Sequence, residues 1–273
     1  MATRRYLIST DLDGTLIGHR DYSFTSAIPA LRLCQERAIP VIINTSKTFD
    51  EARHLQKELS LNAPLITENG SALYWPRLEY NDQFECKVFG KPRADILSFV
   101  DKVRSDQNWQ FEGFNDWTTE QISQHTGLSL QASKRANTKK FSEPFLWNDG
   151  EESLKDFIEF ASGAGLKVLR GGRFYHLQGN TDKAKPLNWL MKNLQTVLPL
   201  KHDSANIKFK LIAIGDNHND VAMLNLADIP ICVRSPVNNY PKLSTEREVM
   251  QTAGFGPDGW AEAIQKLFKH QLE

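Results

Sequence analysis

Asp11-Leu12-Asp13-Gly14-Thr15 is the stretch that decides the fold, because it follows an apolar run from Tyr6 to Ile8. An apolar run that ends at a Gly turn predicts a buried β-strand, and open α/β sheets bind their ligands at such strand ends. Two carboxylates separated by one residue suit phosphoryl chemistry, in which one attacks phosphorus and the other handles a proton. A calcium loop would need further oxygen ligands where Leu16 and Ile17 stand. A solvated turn is the alternative that the pentapeptide alone leaves open.

The composition of the chain limits its class and its partners. The 273 residues suffice for two modest domains or one large one, and 33 Lys and Arg balance 33 Asp and Glu. A formal charge of zero argues against nucleic acid or an anionic membrane as the main partner. Cys34, Cys86 and Cys232 have no metal-ligand spacing, and their odd number suits a reducing compartment. The chain has neither a signal-like start nor a run of about 18 apolar residues, which predicts a cytoplasmic protein without a membrane span.

Strands and amphipathic helices alternate over the first and last parts of the chain. This alternation predicts an α/β fold, with a doubly wound (Rossmann-like) parallel sheet covered by helices on both faces. Thr48 and Glu51 have capping-box spacing and mark the start of one helix, and another begins near Asp182. The remaining predicted elements are helices over Ser26–Arg37 and Trp260–Phe268 and strands over Tyr6–Ser9, Pro40–Asn44, Pro64–Thr67, Ala72–Trp75, Lys208–Ile214 and Ile229–Val233.

Residues 84–178 differ in character and are richer in aromatic and polar side chains. Their own apolar periodicity predicts an inserted α+β cap domain rather than a linker, with residues 1–83 and 179–273 forming the catalytic core. One predicted helix contains Ile96, Val100 and Val103, and the other contains Leu154, Phe157, Ile158 and Ala161. The predicted strands of this insert are Pro144–Trp147, Leu166–Leu169 and Arg173–Gln178.

Four polar segments fall at predicted strand ends or helix starts of the core. They are Asp11–Thr15, Asn44–Thr48, Asp182-Lys183 and Gly215–Asp220. Phosphoryl transfer depends on charge neutralisation and positioning, and these segments supply carboxylates, hydroxyls and an ammonium group for both tasks. The sequence therefore predicts one phosphoryl-transfer site built from all four segments.

Carboxylates in these segments predict a Mg²⁺ site. Asp11, Asp13 and Asp216 supply the hard oxygen ligands that Mg²⁺ prefers. Asp220 lies four residues after Asp216, so both share a face if the segment opens a helix. Asp220 is then an indirect ligand through water, or it simply caps the helix.

Positive and hydroxyl groups complete the predicted site. Lys183 stands at a helix start, where an ammonium group is unfavourable unless an anion such as phosphate or Asp11 lies nearby. An exposed lysine is the alternative. Thr45 or Ser46 can offer a hydroxyl and a backbone N–H to phosphate, or can cap the following helix.

In this order and context, the four segments resemble the four motifs of the haloacid dehalogenase superfamily. The resemblance implies that Asp11 is a nucleophile that forms an aspartyl-phosphate and that Asp13 is the general acid and then base. It further implies that the Asp13 carbonyl and Asp216 bind magnesium, that Thr45 holds the phosphate and that Lys183 screens charge. The insert lies between the second and third motifs, as it does in the Cof-type subgroup, whose α/β cap closes over the site.

Within that subgroup the chain resembles phosphatases that act on mannosyl-3-phosphoglycerate or its glucosyl analogue. Such a substrate carries a carboxylate that needs cations or backbone donors, which Arg170, Gly172 and Arg173 can supply. Glu143 and His176 can bind sugar hydroxyls, although Arg173 and His176 can also be ordinary residues of a cap strand. Ser46, Lys47 and Asn219 complete the expected substrate-binding set. The segments that carry this resemblance are Asn44–Thr48, Glu68–Gly70, Ser142–Phe145, Gly171–Leu177, Asn180–Lys183 and Gly256–Trp260.

Two departures and three alternatives accompany the resemblance. Lys47 replaces an Arg that is common in broader relatives, and Ala184 stands where relatives often have Gly. The chain can alternatively be another sugar-phosphate phosphatase, a phosphohexomutase or a non-catalytic sugar-phosphate sensor.

Overall fold

The computed structural model describes residues 5–19, 21–77, 83–171, 173–198 and 208–268. The first part of the chain contains β1 (Arg5–Thr10), α1 (Ile28–Glu36), β2 (Val41–Asn44), α2 (Phe49–Glu58), β3 (Leu65–Thr67), β4 (Ala72–Pro76) and β5 (Phe84–Val88). The middle part contains α3 (Arg93–Gln107), β6 (Phe111–Gly113), α4 (Thr119–Thr126), α5 (Leu130–Ala136), β7 (Ser142–Trp147), α6 (Glu151–Gly163), β8 (Leu166–Arg170) and β9 (Tyr175–Gly179). The last part contains α7 (Ala184–Lys192), α8 (Leu194–Val197), β10 (Phe209–Gly215), α9 (Val221–Leu226), β11 (Ile229–Arg234), β12 (Met250–Phe255) and α10 (Gly256–Phe268). Within the described ranges, no helix is both long and apolar enough to cross a membrane.

Over the described residues the larger sheet has eight strands in the order β12-β11-β10-β1-β2-β3-β4-β5. Neighbouring strands are parallel from β12 to β3, whereas β4 and β5 are added antiparallel at one edge. Apolar residues cover both faces, because Leu7 and Ile8 of β1 enter two separate hydrophobic clusters. This architecture confirms the predicted α/β class with its doubly wound, parallel-dominated sheet.

The smaller sheet is antiparallel, with the order β6-β7-β9-β8 in the described part of the chain. On one face, Phe145 and Leu177 pack with Ile96 of α3 and Phe157 of α6 in a hydrophobic cluster of their own. A further cluster joins residues of α4 and α5 to Leu146 of β7 and to aromatic side chains of the flanking segments: Phe114, Trp117, Ile122, Ala136, Leu146 and Phe174. The smaller sheet therefore has helices associated with it independently of the larger one.

Most predicted elements are present, and the departures have physical reasons. Phe84–Val88 opens the predicted insert, yet it pairs with β4 and so belongs to the larger sheet. It is a half-exposed edge strand with only a weak apolar pattern. The helices α4 and α5 were not predicted. Each buries few apolar residues, Ile122 in α4 and Ala136 in α5, so neither has a long apolar stripe. Ile158 was expected on the apolar face of α6 but is 40% exposed.

Candidate active site

The parallel pairing of β1 with β10 brings two of the predicted carboxylates together. Thr10 pairs with Ile214, and the Asp11 amide donates to the Ile214 carbonyl at 2.9 Å. Both strands end at the same edge of the sheet, so Asp11 and Asp216 face the same crevice. Oxygen atoms of Asp11, Asp216 and Asp220 lie within 4.8 Å of one another, and all three residues are buried. We call these three residues the acidic cluster.

The loop after β1 folds tightly against Asp216. The Thr15 hydroxyl donates to Asp216 Oδ1 at 3.0 Å. Gly14 has a φ of +79°, and a Cβ at this position would lie 2.9 Å from Asp216 Oδ2. Both the left-handed backbone and the close approach favour glycine here. The Gly in the opening motif thus allows two distant segments to share one site.

Lys183 is the positive centre of the acidic cluster. Its Nζ donates to Asp11 Oδ1 and to Asp220 Oδ1, each at 2.6 Å, and its side chain is fully buried. Burial acts to lower the pKa of Lys183, but the two carboxylates outweigh it and raise the pKa above its ordinary value. The Asn44 side chain supports this position by donating to the Lys183 carbonyl at 3.0 Å. Lys183 is therefore a buried partner of the carboxylates and not an exposed lysine.

The acidic cluster holds more negative than positive charge. Burial raises the pKa of Asp11 well above its ordinary value; Lys183 opposes this effect, whereas Asp220 and Asp216 add to it. Burial and then Asp220 raise the pKa of Asp216 to about 7. Clustered carboxylate oxygens with uncompensated charge are the donor set that a hard divalent cation prefers. The acidic cluster thus fits a metal ion.

The acidic residues do not have equal access to such an ion. Asp220 Oδ1 accepts from Lys183, and Oδ2 accepts from the amides of Asp216 and Asn217 at 3.0 and 3.1 Å. Because these donors use both oxygens of Asp220, this residue is better suited to hold a metal ion indirectly than to coordinate it directly. Asp11 and Asp216 have fewer competing donors and are the stronger candidates for direct contact.

Asp13 lies beside the acidic cluster and is paired with Lys47. Lys47 Nζ is 2.9 Å from Asp13 Oδ1, and the Asp13 side chain is 32% exposed. Lys47 also lies 5.3 Å from the centre of the Tyr22 ring. Burial acts to lower the pKa of Lys47, but Asp13 and Glu51 raise it above its ordinary value. The predicted metal contact of Asp13 uses its backbone carbonyl and stays a prediction.

The segment after β2 presents a hydroxyl and an amide at the same sheet edge. The Thr45 amide donates to the Ile66 carbonyl at 2.9 Å, and Thr45 Oγ1 accepts from the Lys47 amide at 3.2 Å. The Thr45 amide is thus engaged, but its hydroxyl proton can still be donated. The Ser46 amide has no acceptor among the described residues. Thr48 is the helix cap, because its hydroxyl accepts from the Glu51 amide at 3.2 Å.

Glu143, whose role as a sugar ligand stays a prediction, already has partners inside the insert. Its Oε2 accepts from Arg93 Nε at 2.7 Å, and its Oε1 accepts from the Asn115 amide at 2.7 Å. Arg93 Nη2 lies 2.6 Å from the same Oε2, so two guanidinium nitrogens meet one carboxylate oxygen. Burial raises the pKa of Glu143, while Arg93 acts to lower it. We call this contact the Arg93–Glu143 pair; it joins α3 to β7 inside the insert.

The remaining substrate ligands predicted in the insert lie at the end of β8, in the segment after it and in β9. Arg170 is exposed and lies 5.9 Å from the centre of the Tyr175 ring. The Arg173 guanidinium donates to the His125 carbonyl at the end of α4. Gly172 lies outside the described residues. His176 has a buried Nδ1 without a hydrogen-bond partner, and burial followed by the charge of Lys139 lowers its pKa to about 3.

Three functional candidates were missed by sequence reasoning. Asn69 Oδ1 accepts from Asn219 Nδ2 at 3.1 Å, which links the turn after β3 to the predicted substrate ligand Asn219. The Glu68 carboxylate accepts from the Lys140 and Phe141 amides and the Ser142 hydroxyl, at 3.0, 3.1 and 2.5 Å. Lys139 Nζ donates to the Ser46 carbonyl at 2.9 Å. Glu68 and Asn69 belong to a segment that carries the family resemblance but were given no role, and no sequence pattern marks Lys139.

Comparison with known proteins identifies the class. The family model described as haloacid dehalogenase-like hydrolase matches residues 8–170 and 177–244. The chain belongs to this family of hydrolases. A phosphatase of the haloalkanoate superfamily from Bacteroides thetaiotaomicron has the same fold, with a TM-score of 0.66 and 18% identity over 97% of this chain and 96% of that one.

Two sequence relatives carry more specific names. The chain is 35% identical to a glucosyl-3-phosphoglycerate/mannosyl-3-phosphoglycerate phosphatase of Methanococcoides burtonii, over 96% of this chain and 97% of the relative. It is 33% identical to a protein of the same name from Persephonella marina, over 96% of each chain. The similarity therefore extends over the core and the insert together.

Proposed function

We propose that the chain is a Mg²⁺-dependent phosphatase that converts glucosyl- or mannosyl-3-phosphoglycerate into the glycosylglycerate and phosphate. The observation that carries this proposal is the contact of Lys183 with Asp11 beside Asp216, at the sheet edge where Thr45 presents its hydroxyl. The substrate follows from the two sequence relatives, which match along nearly the whole chain.

Asp11 acts as the nucleophile in the proposed reaction. Its carboxylate attacks phosphorus, the bond to the ester oxygen breaks, and Asp13 gives that oxygen its proton. The glycosylglycerate departs, and an aspartyl-phosphate remains on Asp11. Water then loses a proton to Asp13 and attacks phosphorus, which releases phosphate and regenerates both carboxyl groups.

The surrounding groups balance the charge of the phosphate. Lys183 holds Asp11 in place, and the hydroxyl of Thr45 with the amide of Ser46 offers donors to phosphate oxygens. Mg²⁺, held by Asp11 and Asp216 with Asp220 acting indirectly, would neutralise the phosphate dianion. Asp13 leaves its pairing with Lys47 when it protonates the leaving oxygen.

The smaller sheet and its helices act as a cap that recognises the rest of the substrate. Because β5 pairs with β4 of the larger sheet, the cap begins after the predicted boundary at residue 84 and comprises α3 to β9. It touches the segment after β2 at two points, where the Thr48 hydroxyl donates to the Arg135 carbonyl at 3.0 Å and Lys139 donates to Ser46. A cap in this position excludes water from the reacting groups.

The alternatives differ in what leaves the site. A phosphohexomutase would return a phosphorylated sugar, and another sugar-phosphate phosphatase would prefer a substrate without the glycerate. A sugar-phosphate sensor would need no proton-handling carboxylate such as Asp13. The cytoplasmic location predicted from the sequence stays a prediction.

Phosphate release from a panel of sugar phosphates, measured with Mg²⁺, tests the proposal. We expect the highest kcat/KM with glucosyl- or mannosyl-3-phosphoglycerate. Asp11→Asn should abolish release of phosphate, by at least about 10⁴-fold, because the nucleophile is lost. Asp106→Asn, at an exposed position of α3, is the matched control and should keep full activity. Turnover by Asp11→Asn would refute the nucleophile, and equal kcat/KM for simple hexose phosphates would refute the substrate.

A further inference from the structure

Lys139 is a buried cation at the boundary between the cap and the core. It stands between α5 and β7 and is only 9% exposed. Its Nζ donates to the Ser46 carbonyl at 2.9 Å, and within the described ranges it pairs with no carboxylate. A buried ammonium group is unfavourable unless it is paired, and a single carbonyl uses only one of its three donors. The site around Lys139 is therefore suited to an anion.

A second polar group without a partner, His176 of β9, is influenced by the charge of Lys139. His176 Nδ1 is buried with no hydrogen-bond partner. Burial, and after it the charge of Lys139, lowers the pKa of His176, so its imidazole is neutral near pH 7. A Cβ on Gly171 would lie 3.0 Å from His176 Nε2, which places the β8–β9 turn against the same ring. Lys139 and His176 thus both carry buried polar atoms whose hydrogen-bonding capacity the described residues leave partly unused.

We propose that Lys139 binds the carboxylate of the substrate and so selects phosphate esters that carry an acid group. The inference rests on the proposed function and deepens it. Ser46, which Lys139 contacts, follows Thr45, whose hydroxyl is the proposed phosphate donor. In a 3-phosphoglycerate the carboxylate lies only a few bonds from the phosphate ester oxygen, so both anions fit on neighbouring residues.

The arginines of the β8–β9 turn are less suited to this task. Arg170 and Arg173 are exposed, and Arg173 already donates to the His125 carbonyl. An ion pair with an exposed side chain contributes little, whereas a buried cation gains more from an anionic partner. Lys139 is therefore the stronger determinant of carboxylate specificity.

A matched pair of inhibitors tests this assignment. Glycerol 3-phosphate has a hydroxymethyl group where 3-phosphoglycerate has its carboxylate. Both are measured as competitive inhibitors of p-nitrophenyl phosphate hydrolysis by the wild type and by Lys139→Gln, which keeps a hydrogen-bond donor without the charge. We expect the wild type to prefer 3-phosphoglycerate and Lys139→Gln to lose this preference by about 10- to 100-fold, the range of a charged hydrogen bond. The readout is the ratio of the two inhibition constants, which a uniform change in p-nitrophenyl phosphate hydrolysis does not alter.

Two further variants separate charge from folding. Lys139→Arg keeps the positive charge and should retain the preference for 3-phosphoglycerate even if Lys139→Gln folds poorly. Lys140→Gln removes the charge of an exposed neighbour and should behave as the wild type. The assignment is overturned if Lys139→Gln keeps the preference for 3-phosphoglycerate or if Lys139→Arg loses it. A wild type that ignores glycosyl-3-phosphoglycerates would refute the proposed substrate alone, because the inhibitor comparison does not depend on their turnover.

Discussion

The acidic cluster of the core and the Arg93–Glu143 pair of the insert are both buried groups of charges, but they are balanced differently. In the core, Lys183 pairs with two of the three clustered carboxylates, Asp11 and Asp220. In the insert, one carboxylate meets one guanidinium and a backbone amide. Burial raises the pKa of Asp11 and of Glu143 alike; Asp220, Asp216 and Asp13 add to the rise at Asp11, whereas Asp116 adds to it at Glu143. An unbalanced group of buried charges thus points to a missing ligand, whereas a balanced pair supports the fold.

Asp13→Asn tests the core side of the comparison with the largest expected effect. The variant removes proton transfer but leaves the acidic cluster intact, so turnover should fall by about 10²- to 10⁴-fold. Inhibition by inorganic phosphate, measured in the same assay, should be nearly unchanged because the phosphate-binding groups remain. Turnover close to that of the wild type would contradict the role of Asp13.

Arg93→Ala tests the insert side through stability. It leaves the buried Glu143 carboxylate without its cation, which should lower the free energy of unfolding by about 3–5 kcal/mol in urea titrations. Adding Glu143→Gln to this variant should recover part of the loss, since the unpaired charge is then gone. The folded fraction should still hydrolyse p-nitrophenyl phosphate. Loss of that activity would show that the pair belongs to the reacting site and not only to the fold.

Metal-free protein should lose stability as the pH rises from about 4 to 7. Folded Asp216 keeps its proton up to about pH 7, whereas the ordinary pKa is 3.8, so the folded state binds more protons in this window. The free energy of unfolding then falls with rising pH, by at most about 1.4 kcal/mol per pH unit. Thermal melts in a chelator should show this slope for the wild type and a weaker one for Asp216→Asn. Mg²⁺ at pH 8 should raise the Tm of the wild type more than that of the variant.

His176 should give a smaller effect of opposite sign. Its folded pKa is about 3 against an ordinary 6.5, so the unfolded state binds more protons between these values. The stabilising contribution is complete above about pH 6.5 and is lost as the pH falls toward 3. His176 is partly exposed as a residue although its Nδ1 is buried, so solvent screening should keep the slope below the one-proton limit of about 1.4 kcal/mol per pH unit. Acid titrations that coincide for the wild type and His176→Gln would contradict a buried neutral imidazole.

Local signals in the sequence were sufficient to predict much of the core. The apolar runs of β1 and β10 are buried in the sheet, and the capping box of Thr48 and Glu51 is present at the start of α2. Capping signals also exist at Thr118 and Ser129, whose hydroxyls accept from amides at the starts of α4 and α5. These two helices were overlooked because their apolar stripes are short.

The sequence by itself determined the α/β class and the set of polar residues at strand ends. The carboxyl ends of parallel strands meet at one edge of a sheet, so motifs that follow such strands come together even when they are far apart in the chain. Tertiary structure alone decided which buried charges are paired. Arg93 and Glu143 are 50 residues apart, and Lys139 reaches Ser46 over 93 residues. The charge partner of a side chain depends on how separate elements pack against each other. Neither residue spacing nor apolar periodicity predicts the distance between two side chains on different elements.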